Sequence, residues 1–578
     1  MSSESNPINK SNTIPTLSLS PYPLLQVLTL SAFLCFTIFE QQYERFVLER
    51  FSKTSMYYDL AMDDDMQDYD NVAWDRDDEI YEKAVLNLRK TTTCERMETL
   101  TSKKCEQQAT MNGPLKVGGY NAIYQMNFQE SSVDDVIIRV PIFGSIKFPE
   151  EKTIAEVATM TFLREKTNIS VPAVLHYGIS HQNPNTGPYI IMSYIPNNGS
   201  LSKALNDPLV KEGDPHILNR FISSEKLLNL YTQMARHLTE LSQHHFPRIG
   251  SLLLDPETRS YTVATRPLSV NMNQAVRLSN IPASILPPRE KTYTTVDEWY
   301  VELTRMHFAQ LVFQQNDLVE NADDCRNKYL ARLLFWKLAR AGKLSTFGFG
   351  DDDWSVQSKS HDSSTKLLPA PPQTGTFNLW CDDLRAGNVL LDGNDCIVSL
   401  IDFEFTYVAP RQFALDPPWW LLLEQPERWD DGIESWTRVY NERVQVWFTG
   451  MEAAEKELGR KENLTTYMRE SWETGRFWLN YAARKSWAFD SIYWKYLDEK
   501  VFGLRAETGN ACDRWRRRVN MLSPEETVAM ERFVKRKMED GVERILVDWE
   551  PEEASERLQE VLDGCQDVGG MMEALNLM

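Results

Sequence analysis

The sequence contains few cysteines, few histidines and a deficit of basic residues. Its eight cysteines are scattered over 578 residues with no Cys-x-x-Cys pair, which argues against a disulfide framework and a zinc cluster and favours reduced, intracellular thiols. Its eight histidines form no His-Glu-x-x-His motif. Basic residues number 62 against 83 acidic ones, a net charge of −21. A surface this acidic repels phosphate backbones, so we expect no nucleic-acid partner.

The composition is that of a folded protein. Hydrophobic residues make up 42% of the chain, and 16 residues are tryptophan, far too apolar a composition for a disordered chain. The length alone predicts about two to four domains.

Residues 24–39 form a nearly continuous apolar run near the N-terminus. Sixteen helical residues span about 24 Å, less than the roughly 30 Å hydrocarbon core of a bilayer. A transit peptide is arginine-rich, yet the first arginine is Arg45. Membrane contact through 24–39, a targeting segment, a helix packed on the body and a misassigned first exon remain alternatives. We expect an intracellular, cytoplasmic protein, with membrane-anchored and mitochondrial locations as alternatives.

The region from residue 115 to 196 has the pattern of a small sheet with one helix. Tyr124, Met126 and Phe128 alternate with polar residues after a Gly-Gly turn, which predicts a half-buried strand. A second strand follows over 134–143, a helix over 153–167 and two further strands over 171–179 and 187–196.

The rest of the chain is mainly helical, with long amphipathic segments over 224–244 and 296–341. The fold class predicted is α+β. The domains predicted are an N-terminal extension (1–50), a first lobe with a preceding acidic helical region (51–196), a helical second lobe (197–522) and a charged helical tail (523–578).

Three residues at fixed spacing suggest phosphoryl transfer. Asp383 is followed five residues later by Asn388, and Asp402 comes fourteen residues after that, at the end of an apolar strand. Phosphoryl transfer needs a group that orients the hydroxyl nucleophile, and Mg²⁺ to neutralise phosphate charge. Since Mg²⁺ prefers hard oxygen ligands, Asn388 and Asp402 are the candidate metal ligands and Asp383 the candidate base.

These motifs resemble the aminoglycoside phosphotransferase/choline kinase superfamily, and most closely its large fungal phosphotransferase branch. The resemblance covers about residues 72–503 and is carried by DDLRAGNVLL, LIDFEFTYVAP, GGYNAIYQMNF, VIIRVP, AEVATMTFLREKT, GPYIIMSYIP, DPPWWLLLEQPE and SWETGRFWLNYAARKSWAFDSIYWKYLD. It implies a protein-kinase-like bilobal fold with ATP bound between a small antiparallel-sheet lobe and a mainly helical lobe.

The resemblance also assigns residues to ATP binding. Gly118 and Gly119 would cover the phosphates, although most Gly pairs are ordinary turns. Arg139 occupies the position of the strand lysine that holds the α- and β-phosphates, and Glu156 would pair with it. A structural surface ion pair is the alternative for Arg139 and Glu156. Arginine binds phosphate bidentately but is bulkier than lysine.

The segment from Met192 to Tyr194 resembles the hinge whose backbone reads adenine. Two residues depart from the family pattern. Cys381 replaces the catalytic-loop histidine, and Glu404 replaces the glycine of the protein-kinase DFG motif, although small-molecule kinases often carry an acidic residue there.

The resulting hypothesis is an ATP- and Mg²⁺-dependent kinase that phosphorylates a hydroxyl of a small molecule. The net charge suits a cationic acceptor but does not place charge at the site. A pseudokinase used for binding or regulation is the alternative, favoured by Arg139 and Cys381. A protein kinase is disfavoured because no APE-like segment follows Asp402. The neighbouring Asp382 is expected to cap the loop or face solvent.

Overall fold

The computed structural model describes seven ranges of the chain, namely 69–129, 134–180, 186–211, 213–360, 366–459, 463–504 and 511–564. The predicted extension over 1–50 and its apolar run over 24–39 lie outside these ranges. Within them, none of the helices combines the length and the apolar character that a membrane crossing requires.

The strands of the described ranges lie in four antiparallel sheets. They are β1 (Ala109–Met111), β2 (Lys116–Val117), β3 (Asn121–Phe128), β4 (Val136–Pro141), β5 (Val174–Gly178), β6 (Tyr189–Ser193), β7 (Gly199–Ser200), β8 (His245–Phe246), β9 (Ser251–Leu254), β10 (Tyr261–Thr265), β11 (Phe377–Cys381), β12 (Val389–Leu391), β13 (Ile397–Leu400) and β14 (Thr406–Ala409). The largest sheet has the order β1-β3-β4-β6-β5, with β2 on β3. The smaller sheets are β9-β10, β8-β11-β14 and β7-β12-β13.

Most of the remaining chain is helical. The α-helices are α1 (Asn71–Leu88), α2 (Thr91–Cys105), α3 (Pro149–Lys166), α4 (Leu201–Leu205), α5 (Ser224–Leu241), α6 (Val270–Leu278), α7 (Val296–Phe313), α8 (Ala322–Arg340), α9 (Val356–Ser360), α10 (Arg411–Ala414), α11 (Gly432–Glu457), α12 (Leu464–Thr474), α13 (Arg476–Arg484), α14 (Phe489–Ile492), α15 (Asp498–Phe502), α16 (Pro524–Asp540) and α17 (Pro551–Asp563). A π-helical turn spans Tyr493–Leu497, and 3₁₀ turns include Ala386–Asn388 and Ser486–Ala488. The α+β class predicted from the sequence is confirmed.

Alternation along β3 places its apolar residues on the buried face. Tyr124, Met126 and Phe128 are buried, whereas Gln125 and Asn127 between them are partly exposed. Strand β4 pairs with β3 and β6, so Arg139 lies opposite Ile123 on one side and Ile190 on the other. A central strand therefore holds the backbone of Arg139 on both sides.

Helix α3 is deeply buried, and not only on its apolar side. Lys152, Glu156 and Met160 are buried, whereas Ile154 is only half buried. The helix begins at Pro149. Backbone N–H groups in the first turn of a helix have no acceptor within the helix, and proline has no N–H to leave unpaired. Charged side chains on α3 are therefore placed inside the protein.

Among the helices of the second region, α5 and α11 pack closely. A Cβ added at Gly450 of α11 would lie 3.1 Å from the backbone nitrogen of Thr232 on α5, so glycine permits this approach. The amphipathic segment predicted over 296–341 contains two helices: α7 ends at Phe313, and α8 begins only after Asn321, whose side chain caps it.

The C-terminal helices pack against the body of the protein. Lys337 on α8 is buried with Glu526 on α16, at 2.6 Å, and Lys537 donates to the carbonyl of Gln314 at 2.6 Å. Residues Asp65–Met578 form one compact unit. The predicted division into two lobes and a separate tail stays a prediction.

Candidate active site

Two antiparallel strand pairings bring the sequence-predicted catalytic residues together. Strand β11 pairs with β14 so that Cys381 lies opposite Thr406, and the amide of Asp382 donates to the carbonyl of Phe405 at 3.3 Å. Asp383, the next residue, therefore lies beside the segment that contains Asp402 and Glu404.

The second pairing positions the amide side chain. Strand β12 pairs with β13, and the amide of Ile401 donates to the carbonyl of Asn388 at 2.9 Å. The Asn388 Nδ2 donates to the Asp383 carbonyl oxygen at 2.9 Å, so its Oδ1 is the atom suited to bind a cation. The fourteen-residue spacing between Asn388 and Asp402 is thus the length of a hairpin.

Three carboxylates converge at this point. One carboxylate oxygen from each of Asp383, Asp402 and Glu404 lies within 4.8 Å of the others. Burial raises the pKa of Asp383 to about 6, against the opposing effect of Arg385. Burial and the adjacent charge of Glu404 also raise the pKa of Asp402. Crowded carboxylates and an amide oxygen form a donor set that fits Mg²⁺.

Arg139 connects this carboxylate cluster to helix α3. Its guanidinium donates to Asp402 Oδ1 at 2.9 Å and to Glu156 Oε1, and lies 3.7 Å from Glu404 Oε2. The Arg139 side chain is only 7% exposed. Arg139 and Glu156 are therefore a buried pair and not the surface pair of the alternative, and their role as a phosphate site or as a structural ion pair stays a prediction.

Lys152 is a second buried cation that the sequence analysis missed. Its Nζ lies 2.6 Å from Glu404 Oε2 and 3.6 Å from Glu156 Oε2, and donates to Asn121 Oδ1 at 2.7 Å. Asn121 Nδ2 in turn donates to Glu404 at 2.9 Å. Although burial opposes ionisation, Lys152 and Arg139 lower the pKa of Glu404. The only sequence signal for Lys152 was its position four residues before Glu156.

The segment between the metal-ligand candidate and β14 has an unusual backbone. Asp402 and Phe405 have φ values of 65° and 57°, in the left-handed region that favours glycine. Phe405 packs edge-on against Tyr120, with ring centroids 5.5 Å apart. Such conformations persist where surrounding contacts enforce them, and they cluster at functional sites.

Asp382 anchors the catalytic loop through two hydrogen bonds. It is buried, with Oδ2 accepting from the Val270 amide at 3.0 Å and Oδ1 accepting from Trp380 Nε1 at 3.0 Å. Of the two expectations for Asp382, loop capping describes its contacts and solvent exposure does not.

The two glycines form the turn between β2 and β3. The Gly118 amide donates to the Asn121 carbonyl at 2.8 Å, and the Tyr81 hydroxyl of α1 donates to the Gly118 carbonyl at 3.1 Å. A Cβ at Gly119 would meet no atom within 4 Å. The packing of the protein itself therefore does not require glycine at 119.

The hinge candidates lie at the end of β6. Met192 is buried and pairs with Ile137 and Val174. The amide of Tyr194 already donates to the Asp135 carbonyl at 3.0 Å. The Tyr194 carbonyl could therefore accept a hydrogen bond from a nucleotide base, whereas the Tyr194 amide is already used.

The site contains a carboxylate at the position of the base, together with an amide and a second carboxylate that could bind a cation. A buried arginine–glutamate pair lies beside them. Phosphoryl transfer requires a site of this kind.

No family model matches the chain. Among curated proteins, it is 29% identical over 316 residues to Altered inheritance of mitochondria protein 9, mitochondrial, of Clavispora lusitaniae, covering 52% of this chain and 48% of the relative. The Yarrowia lipolytica protein of the same name is 26% identical, over 53% and 50%. The chain thus matches about half the length of these relatives.

Among the solved structures that match are a phosphotransferase and two kinases by name. Macrolide 2'-phosphotransferase type I is 14% identical and covers 72% of this chain and 99% of its own, with a TM-score of 0.33. A fructosamine-3-kinase described as putative, from Thermobifida fusca, is 11% identical over 69% and 95%, with a TM-score of 0.34. An ethanolamine kinase of Plasmodium vivax is 10% identical over 72% and 83%, with a TM-score of 0.31.

Proposed function

We propose that this protein is an ATP- and Mg²⁺-dependent kinase that transfers the γ-phosphate to a hydroxyl of a small molecule. The observation that carries the proposal is the convergence of Asp383, Asn388 and Asp402 beside the buried Arg139–Glu156 pair. These residues come from four separate parts of the chain, and their roles in phosphoryl transfer are complementary.

Each residue has a defined task in this proposal. Asp383 orients the acceptor hydroxyl and takes its proton, and a pKa of about 6 leaves it ionised at neutral pH. Asn388 and Asp402 would hold Mg²⁺, which when bound neutralises phosphate charge. Arg139, fixed by Glu156, supplies a planar cation for phosphate oxygens.

The crowding of carboxylates supports a bound cation. Arg139 and Lys152 face four carboxylates, those of Glu156 and of the three-carboxylate cluster defined above, and Arg385 lies 3.6 Å from the carboxylate of Asp383. Burial raises the pKa of Asp383 and of Asp402, which favours their protonated forms. A divalent cation at these two carboxylates would favour their ionised forms instead.

Replacing the proposed base tests the function. Asp383→Asn keeps the side-chain shape but cannot take a proton, so we expect turnover to fall about 10²- to 10⁴-fold while Mg²⁺-ATP affinity is largely retained. Turnover is followed as label transfer from γ-labelled ATP to a metabolite extract, and affinity by calorimetry.

Asp353→Asn is the matched control, since the Asp353 side chain is 86% exposed and outside the cluster. Undiminished turnover in Asp383→Asn would remove Asp383 from its role. A wild-type protein that binds no Mg²⁺-ATP would contradict the kinase proposal as a whole.

One observation favours the pseudokinase alternative. Arg139 contacts Glu156, Asp402 and Glu404 at once, so its guanidinium is already engaged by carboxylates. If this network stays closed with nucleotide present, the protein would bind without catalysing transfer. Nucleotide binding by wild type with no label transfer to any acceptor would select this alternative.

The names of the curated relatives favour a mitochondrial location over the cytoplasmic one. Two of the matching relatives are named as mitochondrial proteins. We expect the full chain to fractionate with mitochondria when expressed with a C-terminal tag. Recovery in the cytosolic fraction would contradict this.

A further inference from the structure

Helix α6 contacts both the catalytic loop and the segment that joins Arg139 to Glu156. Its first amide, that of Val270, donates to Asp382 Oδ2 at 3.0 Å, next to the candidate base. Residues 142–148 connect β4, which carries Arg139, to α3, which carries Glu156, and α6 contacts this connection as well. Since α6 has nine residues, about 13 Å of helix, it forms a short link between the two.

Asn273 of α6 binds the β4–α3 connection with both ends of its side-chain amide. Its Oδ1 accepts from the Lys147 amide at 2.9 Å, and its Nδ2 donates to the Ser145 carbonyl at 2.9 Å. Asn273 is fully buried, so solvent does not reach its amide group. Removing that group would therefore leave backbone groups of the connection without their partner.

The residue between the two bonded groups lies in a small buried apolar cluster. Ile146 packs there with Leu268, Val270 and Phe405, and partly buried Tyr120 of the glycine turn packs against the same cluster. The β4–α3 connection, the start of α6 and the segment after the candidate metal ligand thus share one core. A shift of the connection against α6 would disturb both the glycine turn and that segment.

A second asparagine of α6 makes the same kind of contact with another part of the protein. Asn271 Oδ1 accepts from the Ser486 amide at 3.1 Å, and Asn271 Nδ2 donates to Ser486 Oγ at 3.0 Å. Asn271 is 1% exposed. Asn271 and Asn273 therefore match in residue type, helix, burial and the kind of hydrogen bonds, and they differ in the segment that they hold.

We propose that Asn273 is a positioning residue for phosphoryl transfer, which keeps Arg139 and Glu156 in register with Asp383. This rests on the proposed kinase function, in which Arg139 binds phosphate and Asp383 orients the acceptor hydroxyl. Transfer needs these groups in a fixed geometry, because a misplacement of about 1 Å can cost about 10²-fold in rate. Since Asn273 is fully buried, it acts through the backbone of the β4–α3 connection.

Hydrogen exchange of the ligand-free protein tests the positioning without any catalysis. We expect the amides of residues 145–147 to exchange about 10- to 100-fold faster in Asn273→Ala than in wild type, because the connection loses its buried partner. Asn271→Ala is the matched control. It should leave exchange at 145–147 unchanged and speed exchange at Ser486. Mass spectrometry of proteolytic peptides measures both regions.

The effect on transfer is measured with γ-labelled ATP and a metabolite extract as acceptor. We expect Asn273→Ala to lower the transfer rate at saturating Mg²⁺-ATP about 10- to 100-fold, with the KM for Mg²⁺-ATP changed less than about threefold. Asn271→Ala should be destabilised to a similar extent in chemical denaturation, with its transfer rate changed less than about twofold. A merely structural role of Asn273 would affect both variants alike.

The outcomes separate the two proposals. Unchanged exchange at 145–147 in Asn273→Ala, or equal losses of transfer rate in Asn273→Ala and Asn271→Ala, would overturn the positioning role and leave the kinase intact. Absence of transfer by wild type would overturn the kinase proposal, and the role in transfer with it. If Asn273→Ala does not fold, Asn273→Ser is measured in the same way. Loss of the fold in both, while Asn271→Ala folds, would assign Asn273 to stability alone and overturn the proposal.

Discussion

At the residue scale, the positive charge of Lys152 compensates the negative charge of the buried carboxylates next to the site. Its side chain is 1% exposed and lies between Glu404 and Glu156. A buried ion pair contributes little against an apolar replacement, but removing one partner leaves an uncompensated charge. Lys152 therefore stabilises the fold chiefly because its positive charge compensates the buried, ionised carboxylate of Glu404.

Lys152→Met is expected to lower the free energy of unfolding by about 3–5 kcal/mol, because the Glu404 carboxylate loses its buried partner. The double variant Lys152→Met/Glu404→Gln is expected to recover most of that loss. Chemical denaturation of both variants measures the difference.

Lys83→Met is the control at an exposed ion pair, where the side chains of Lys83 and Glu79 are 72% and 73% exposed and the expected loss is below about 1 kcal/mol. Equal losses for the single and double variants would show that Lys152 acts through packing and not through Glu404.

The residue scale also shows how far the sequence predicts the site. Asp383, Asn388 and Asp402 were found because their spacing follows a loop and a hairpin, both local features. Lys152 was missed because a lysine on an amphipathic helix normally faces water, and only the packing of α3 against the sheet buries it.

At the element scale, helix α1 contacts and stabilises the region around the glycine turn. Tyr81 donates to the Gly118 carbonyl. Ile80 of the same helix lies against Gly144, where an added Cβ would clash with the Ile80 side chain. Asp77 pairs with Arg277 of α6. Helix α1, which lies in the acidic helical region predicted before the sheet, is therefore packed against other elements of the protein.

Tyr81→Phe is expected to weaken Mg²⁺-ATP binding about 2- to 10-fold, because one neutral hydrogen bond to the turn is lost. Its effect on unfolding is expected to be small, since that hydrogen bond is exposed. Calorimetry and denaturation provide the two readouts.

Tyr124→Phe is the matched control, because the Tyr124 hydroxyl donates to the Leu88 carbonyl at the other end of α1, at 2.7 Å, away from the glycine turn. If both variants weaken ATP binding equally, α1 acts through general stability and Tyr81 has no particular role at the turn.

At the scale of the whole molecule, a buried histidine makes stability depend on pH. His307 is fully buried, stacks on Phe489 with ring centroids 4.4 Å apart, and lies near the positive charge of Arg332. Burial and this charge lower its pKa to about 3. The histidine is therefore neutral in the folded protein near neutral pH.

We expect the free energy of unfolding to fall as the pH drops below about 6.5, because the unfolded chain then binds a proton that the folded chain refuses. The slope for this one group approaches about 1.4 kcal/mol per pH unit and continues down towards its folded pKa. His307→Phe keeps an aromatic ring and removes the titration, so its stability should fall less steeply between pH 6 and 4. Identical slopes in denaturation experiments would show that His307 takes no part.

The sequence by itself determined the α+β class, the alternation of β3, and the local spacing of Asp383, Asn388 and Asp402, because periodicity and turn lengths are properties of neighbouring residues. The tertiary structure decided the rest. Packing of α3 on the sheet buried Lys152 beside Glu404 and brought Arg139 and Glu156 to Asp402 and Glu404. These juxtapositions join residues 100 or more positions apart, for which the sequence carries no local signal.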